Sequence, residues 1–367
     1  MSKIGRYIYG VINSNTEEFF DLGEIISFED IYPANYPNGV VSSVKTSNCA
    51  YTIAFQDIAA VVKDSLIVDY SHMPKETLAR LLVSHQQLIE KIMTKHTVVP
   101  MKLGAFVESD KEVEQILARG YRTIKGIFER AQDTIEIDVV ATINDFNSFL
   151  QEVSEEEEIK QLKQSLLSTK GKVTIDDQMK VGILVKRYLD KTKACYAVQI
   201  QSALSGVCDN FKAHDLMDDK MVLNTAFLLN RNRQKDFEQR VEDINSEFEE
   251  KFNFRCVGPL PPYSFYTLKI ERPQFDQISW AKKQLGLTND FVTAEDIKKA
   301  HRRSAMTCHP DKNPDVPDIK KNFDDMTRAY KILLDYYRAS SHAEHGKGCY
   351  LSEETFEEDA ILVTTMD

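Results

Sequence analysis

The residues best placed to do chemistry form the tripeptide His309-Pro310-Asp311, which brings an imidazole and a carboxylate together. Pro310 disfavours helical geometry at His309 and cannot continue a helix itself, so a helix before it has to end there. We expect the resulting turn to expose both side chains on a loop. Because no catalytic motif accompanies them, the sequence favours a docking tip over a catalytic centre.

Two predicted helices must position this turn. Thr293 and Asp296 make a capping-box-like start for a helix that runs to about Cys308. One side of that helix is apolar, and the opposite side is basic, with Lys298, Lys299, Arg302 and Arg303. After the turn, apolar residues from Ile319 to Tyr337 recur at spacings of four and three, which indicates an antiparallel helix pair. The sequence thus predicts a helical hairpin with a cationic outer face.

These residues resemble the J-domain of DnaJ-type co-chaperones over roughly residues 278–340. The resemblance implies docking on a DnaK-type chaperone ATPase and stimulation of its ATP hydrolysis. On that basis Asp311 would engage an arginine of the partner, while His309 and Pro310 would shape the loop. The other chaperone-binding residues that the resemblance implies are Lys298, Lys299, Arg302, Arg303 and Lys312. Those on the helix would meet an acidic patch by charge complementarity.

The hairpin departs from the usual J-domain pattern at four positions. His301 and Cys308 stand where tyrosine is common, Ser304 where leucine is common, and Thr307 where lysine is common. We expect these changes to soften the packing of the hairpin and to thin its basic face. They bear on the strength of ATPase stimulation more than on the fold.

Charge is unevenly distributed along the 367 residues, whose net charge is −11. Residues 279–340 carry 12 Lys/Arg against 9 Asp/Glu, whereas residues 341–367 carry one Lys against seven Asp/Glu. The acidic total argues against general binding to nucleic acid or to an anionic membrane. We therefore expect a locally basic module on an acidic body, followed by a disordered acidic tail over residues 341–367.

Cysteine usage and hydropathy indicate a cytoplasmic protein. The six cysteines are scattered without CxxC spacing, which suits a reducing compartment and gives no zinc or redox motif. We expect no signal peptide at the start and find no run of about 18 apolar residues that could span a bilayer.

The body before the J-like module predicts an α+β fold in two layers. The first layer, residues 1–133, is predicted to contain strands at residues 6–12, 51–55 and 58–63, helices at 75–94 and 110–131, and an interrupted strand at 98–107. The second, residues 134–272, has strands at 134–143, 222–229 and 265–270, a long helix at 176–213 and another at 233–252.

No catalytic or metal-binding constellation is found in the body. It lacks GxxxxGK[ST], HExxH and GxSxG motifs and has no GxGxxG after a strand. His85 and His96 are too far apart on one helix to share a metal, so we expect two packed or surface histidines and no cofactor. The acidic run at residues 155–158 is either a contact site or, as we favour, a solvated helix face. Similarly, Gly258–Phe265 is either a polyproline ligand or, more in keeping with its three prolines, a buried turn.

The body also resembles the gas vesicle protein F/L family. The segment Gly258–Phe265, preceded by Phe254-Arg255, matches the family's terminal signature. Further matches in the family's order are Tyr7–Val11, Val99–Gly104 and Asn224–Leu229, with Lys102 and Leu103 as mild departures. The resemblance spans nearly all of residues 1–272. It implies two ferredoxin-like α+β domains, contact with gas vesicle shell protein A and other accessory proteins, and no catalytic residues.

Three functions remain open from the sequence. The first is a non-enzymatic, gas vesicle-associated assembly factor that holds the apolar shell protein and recruits the chaperone ATPase. The second is a general J-domain co-chaperone whose α+β body binds many clients. The third is an enzyme whose polar site cannot be paired by sequence.

Overall fold

Two compact units make up the chain in the computed structural model, which describes residues 4–23, 49–70, 73–168, 174–307, 318–340, 348–356 and 361–366. The first unit combines Met1–Arg130 with Tyr266–Asp367, and the second is Ala131–Phe265. This division differs from the predicted one, which put residues 266–272 in the second domain and gave residues 278–340 a domain of their own. Residues 266–272 are tied to the N-terminal residues through Leu268, which bridges to Met101 and accepts a hydrogen bond from the Lys102 N–H.

The described residues of the N-terminal part of the first unit form an antiparallel sheet and two helices. Its elements are β1 (Ile4–Ile12), β2 (Phe19–Asp21), β3 (Cys49–Phe55), β4 (Ile58–Leu66), α1 (Lys75–Met93), β5 (Val98–Pro100), β6 (Phe106–Val107) and α2 (Asp110–Ala131). The strand order is β2-β3-β4-β1-β5, with β6 also paired to β1. Strands β1 and β4 are apolar and buried along most of their length, as central strands require. The interrupted strand expected at residues 98–107 is the pair β5 and β6.

The second unit is a four-stranded antiparallel sheet with its own helices. Its elements are β7 (Thr134–Ile143), α3 (Phe146–Ser154), α4 (Glu157–Ser168), α5 (Ile175–Ser205), β8 (Asn210–Ala213), β9 (Met221–Asn230), α6 (Gln234–Glu247) and β10 (Phe252–Leu260). The strand order is β10-β7-β9-β8. The order of elements is therefore β-α-β-β-α-β when the helices between β7 and β8 are counted as one connection.

In the first sheet, β3, β4, β1 and β5 lie side by side in the same relative order as β8, β9, β7 and β10 in the second. The connection between β2 and β3 runs through residues 24–48, which lie outside the described residues. The α+β class expected from the sequence is confirmed in both units.

Two predicted helices of the second unit are too long. The helix expected at residues 176–213 ends at Ser205, and Phe211 lies instead on strand β8, with its ring 6.0 Å from that of Phe227. The helix expected at residues 233–252 ends at Glu247, because Glu249 (φ 51°) and Glu250 (φ 55°) take left-handed geometry that turns the chain into β10.

The rest of the first unit is mainly helical. Its elements are α7 (Tyr263–Tyr266, shared with the second unit), β11 (Leu268–Glu271), α8 (Phe275–Gln284), β12 (Phe291–Val292), α9 (Ala294–Thr307), α10 (Ile319–Ala339), β13 (Cys349–Tyr350) and β14 (Leu362–Thr365). Helices α8, α9 and α10 enclose one apolar core. The helical hairpin predicted for the J-like module is therefore present as α9 and α10.

The prediction of a disordered tail over residues 341–367 is wrong for its described parts. Strand β13 pairs with β12, and β14 pairs with β11. Cys349, Leu351 and Leu362 are buried in the core formed by α8, α9 and α10. The prediction rested on the acidic composition of the whole segment, but the segment also contains two short apolar runs, residues 349–351 and 361–363. Burial of these runs stabilises an ordered conformation.

Candidate functional site

A capped helix start fixes α9, the helix that carries the predicted docking face. Thr293 Oγ1 accepts a hydrogen bond from the Asp296 backbone N–H (3.2 Å), and Asp296 Oδ2 accepts one from the Thr293 N–H (3.0 Å). The Thr293 hydroxyl and the Thr293 N–H both donate to Asp296 Oδ2, and these two bonds lower the pKa of Asp296. The capping box predicted from the sequence is thus observed, and it holds the carboxylate charged at the positive end of the helix dipole.

The basic residues of α9 lie on its exposed side. Lys298, Lys299, Arg302 and Arg303 are all exposed, whereas Ile297 and Ala300 are buried against the core. Spacings of three and four residues place each set on its own face of the helix. The structure therefore brings these four predicted residues together as one cationic surface.

His301 packs in the hairpin where a tyrosine was expected. Its ring stacks on Tyr330 of α10 at a centroid distance of 4.2 Å and an angle of 22°. Burial lowers the pKa of His301 and so favours the neutral ring. Its Nε2 is buried without a hydrogen-bond partner among the residues that the structure describes. An aromatic contact between the two helices is thus kept despite the substitution.

The remaining predicted docking residues, His309, Pro310, Asp311 and Lys312, lie outside the described residues. The helices on either side are described: α9 ends at Thr307 and α10 begins at Ile319. The role of the turn in docking stays a prediction.

The sequence missed the aromatic residues that support the other end of the hairpin. Phe356 stacks on Tyr336 of α10 at 5.5 Å and lies 5.7 Å from Phe275 of α8. On the outer side, the Arg328 guanidinium lies 5.5 Å from the Trp280 ring, a cation–π contact between α10 and α8. The signal that could have found Phe356 is a lone aromatic residue in an otherwise acidic segment.

The histidines of the body have structural partners. His85 is buried, with Nδ1 2.7 Å from the Tyr7 hydroxyl and Nε2 3.0 Å from the Met101 carbonyl oxygen. The carbonyl can only accept, so Nε2 carries the proton and Nδ1 accepts from Tyr7. Burial lowers the pKa of His85 to about 4, which keeps the ring neutral. His96 Nε2 pairs with Glu18 at 3.0 Å.

A buried carboxyl binds the end of the Gly258–Phe265 segment, whose first three residues lie on β10 and whose last three lie in α7, so that the turn is confined to Pro261 and Pro262. The Ser264 N–H donates to Glu136 Oε2 (2.8 Å), and Ser264 Oγ lies 2.7 Å from Oε1. Glu136 is only 2% exposed, and burial raises its pKa well above the ordinary value. Burial also raises the pKa of Asp138, two residues along β7 on the same face. These contacts support the interpretation of the proline segment as a structural turn.

The acidic run at residues 155–158 makes ion pairs across helices. Glu158 accepts two hydrogen bonds from Arg187 Nη2 of α5, both at 2.8 Å, and Glu155 lies 2.9 Å from Lys160. Glu155 and Glu156 lie in the turn between α3 and α4, and Glu157 and Glu158 begin α4, so only the second half of the run is the charged helix face that was expected. Over the described part of the chain, no group of three or more His, Cys, Asp or Glu side chains could hold a metal, and no helix is long and apolar enough to cross a membrane.

Family models match both parts of the chain. The model "Gas vesicle synthesis protein GvpL/GvpF" matches residues 5–267, and the model "DnaJ domain" matches residues 283–341. Two solved structures of gas vesicle protein GvpF resemble the body. That from Anabaena sp. PCC7120 has a TM-score of 0.54 at 20% identity, and that from Microcystis aeruginosa has 0.51 at 17%. They cover 73% and 72% of this chain and 99% of their own.

Curated relatives divide in the same way. Gas vesicle protein F of Nostoc sp. is 25% identical over 226 residues, which is 58% of this chain and 91% of that protein. Gas vesicle protein F of Haloferax mediterranei is 21% identical over 64% of this chain and 89% of its own length. DnaJ homolog subfamily C member 5 of Homo sapiens is 38% identical over 76 residues, 20% of this chain and 38% of that protein.

Proposed function

Because the chain belongs to the GvpL/GvpF family of gas vesicle synthesis proteins and carries a DnaJ domain, we propose that it is a gas vesicle assembly factor that recruits a DnaK-type chaperone. Its body binds the apolar shell protein, and its J-domain docks on the chaperone ATPase. The chain itself is non-catalytic and acts by stimulating ATP hydrolysis in its partner.

A physical motive supports this combination. A subunit that lines a gas-filled shell exposes apolar surface before it is assembled, and such surface aggregates in water. A holding protein prevents aggregation, but it also has to release the subunit. An ATP-driven chaperone recruited to the same chain supplies the energy for release.

The observation that carries the proposal is that one chain contains both the cationic surface of α9 and a region that matches the GvpL/GvpF family. Lys298, Lys299, Arg302 and Arg303 are exposed together, on a helix whose other side is fixed in the core. Such a surface attracts an acidic partner by charge and orients the encounter. The tripeptide His309-Pro310-Asp311, which is predicted to form a turn, begins two residues after the last residue of this helix in the sequence.

Steady-state ATPase assays of a bacterial DnaK-type chaperone test the docking half. We expect the full chain to raise the basal rate several-fold and His309→Gln or Asp311→Asn to abolish the increase. His345→Gln, the same change outside the motif, is the matched control and should stimulate like the wild type. Stimulation by His309→Gln equal to that by the control would refute docking through this turn.

Binding of the shell protein is tested separately. The full chain, immobilised, should retain purified shell protein A but should not suppress aggregation of unrelated unfolded proteins. Broad suppression would instead support a general co-chaperone, and failure to retain the shell protein would contradict the assembly role.

A further inference from the structure

Strand β14 contacts two parts of the first unit at once. Leu362 is buried in the core of α8, α9 and α10. The next residue, Val363, points to the other side and lies against Gly120 of α2, in the N-terminal part. A Cβ atom at Gly120 would lie 3.0 Å from the Val363 side chain, so the glycine leaves the space into which that side chain packs. Alternation along the strand thus sends one side chain to each part.

The partner strand β11 is itself attached to the N-terminal part. The Lys102 backbone N–H donates to the Leu268 carbonyl oxygen at 2.7 Å, and Met101 bridges to Leu268 in parallel register. On its other edge, β11 pairs with β14 from Leu268–Thr365 to Glu271–Leu362. Residues Ile361, Leu362 and Val363 are 3%, 8% and 6% exposed. The short ribbon β11–β14 therefore joins the J-domain to the N-terminal sheet.

Other contacts also link the two parts, among them the Arg130 guanidinium of α2, which lies 5.8 Å from the Tyr266 ring. Arg119 Nη1 of α2 lies 3.4 Å from the carbonyl oxygen of Ala339, and Arg272 pairs with Glu112. Both are polar contacts of partly or fully exposed groups, which contribute little on their own. A two-stranded ribbon is also marginal by itself. The seating of β14 thus adds a buried apolar contribution to the attachment of the J-domain.

We propose that residues 361–365 form a releasable clasp that fixes the J-domain on the N-terminal part of the chain. With the clasp closed, the cationic surface of α9 faces one direction relative to the N-terminal sheet. With it open, the J-domain moves on the segment that follows β11. Neither state covers α9, so the clasp controls where a docked chaperone sits and not whether it docks. The clasp itself does not depend on the proposed function.

Hydrogen–deuterium exchange on the full chain tests the clasp. Val363→Asp places a charge against α2, and Gly120→Val fills the space that Val363 occupies. We expect each to speed exchange of the β11 amides, Leu268–Glu271, at least about tenfold, while peptides from α8, α9 and α10 stay within about threefold of the wild type.

Matched controls act on the same two elements. Met366→Asp puts the same charge at an exposed end of the strand, and Gly126→Val puts the same side chain on α2 where nothing lies within 4 Å. Both should leave the exchange of β11 unchanged. Unchanged β11 exchange in both test variants would overturn the proposal. So would an equal rise throughout α8–α10, because β14 would then be an integral part of the J-domain fold.

Discussion

Leu351→Ala tests whether the segment after α10 is part of the J-domain core. Leu351 is 2% exposed and belongs to the same apolar cluster as residues of α8, α9 and α10. Its backbone N–H donates to the Asp290 carbonyl oxygen at 2.7 Å, next to the β12–β13 pair. If this segment were a solvated tail, truncating the side chain would change nothing.

The size of the effect follows from burial. Replacing a fully buried leucine with alanine removes apolar contacts and leaves a cavity, which costs about 2–5 kcal/mol. Leu351 lies at the edge of the core beside a two-stranded pair, where neighbours can relax, so we expect about 2–3 kcal/mol. With a urea dependence of about 1–3 kcal/mol/M, the unfolding midpoint should fall by roughly 0.7–3 M.

Trp280 provides the assay because it is the single tryptophan of the chain and lies on α8. Its fluorescence during urea unfolding reports on the J-domain alone, since its ring packs against that core. Glu353→Ala, an exposed change two residues further on, should leave the midpoint within about 0.3 M. A Leu351→Ala midpoint equal to that of Glu353→Ala would refute the assignment of this segment to the core.

Two further predictions concern charge. Glu136→Gln should remove a pH dependence of stability. Because burial raises the pKa of Glu136, the folded state keeps a proton that the unfolded state releases. The free energy of unfolding of the wild type should therefore fall by up to about 1.4 kcal/mol per pH unit as the pH rises from about 5 to about 7. Thermal unfolding of both proteins across this range checks it, and parallel pH profiles would contradict it. Replacing Arg302 and Arg303 with glutamate should weaken chaperone binding at least about tenfold at low salt and less at high salt. The control Lys235→Glu should leave binding unchanged. Binding isotherms at two ionic strengths measure this, and a loss of affinity that does not depend on salt would argue against charge steering.

Much of the fold could be predicted because its patterns are local. The capping box at Thr293 and Asp296 defines the start of α9 within a few residues, and alternation defines β7 at residues 134–143. The face carrying Lys298 to Arg303 follows from helical spacing alone.

What could not be predicted depends on pairing between distant residues. Strand β8 has no local pattern that separates it from the end of α5, and it exists because it pairs with β9. Strands β13 and β14 are too short to stand out in an acidic segment, and they are ordered by partners about 60 and 90 residues earlier in the chain. The anchoring role of Glu136 needed the distant Ser264, so only the unusual Glu136-Ile137-Asp138 alternation within a strand hinted at it.

Release of the shell protein tests the central claim most directly, because it requires both halves of the chain. Labelled shell protein A is loaded on the full chain, and its release is followed after addition of a DnaK-type chaperone with ATP. The account predicts ATP-dependent release that is several-fold faster for the wild type than for Asp311→Asn, with equal initial loading. Equal release rates for the two proteins, or release that does not require ATP, would contradict it.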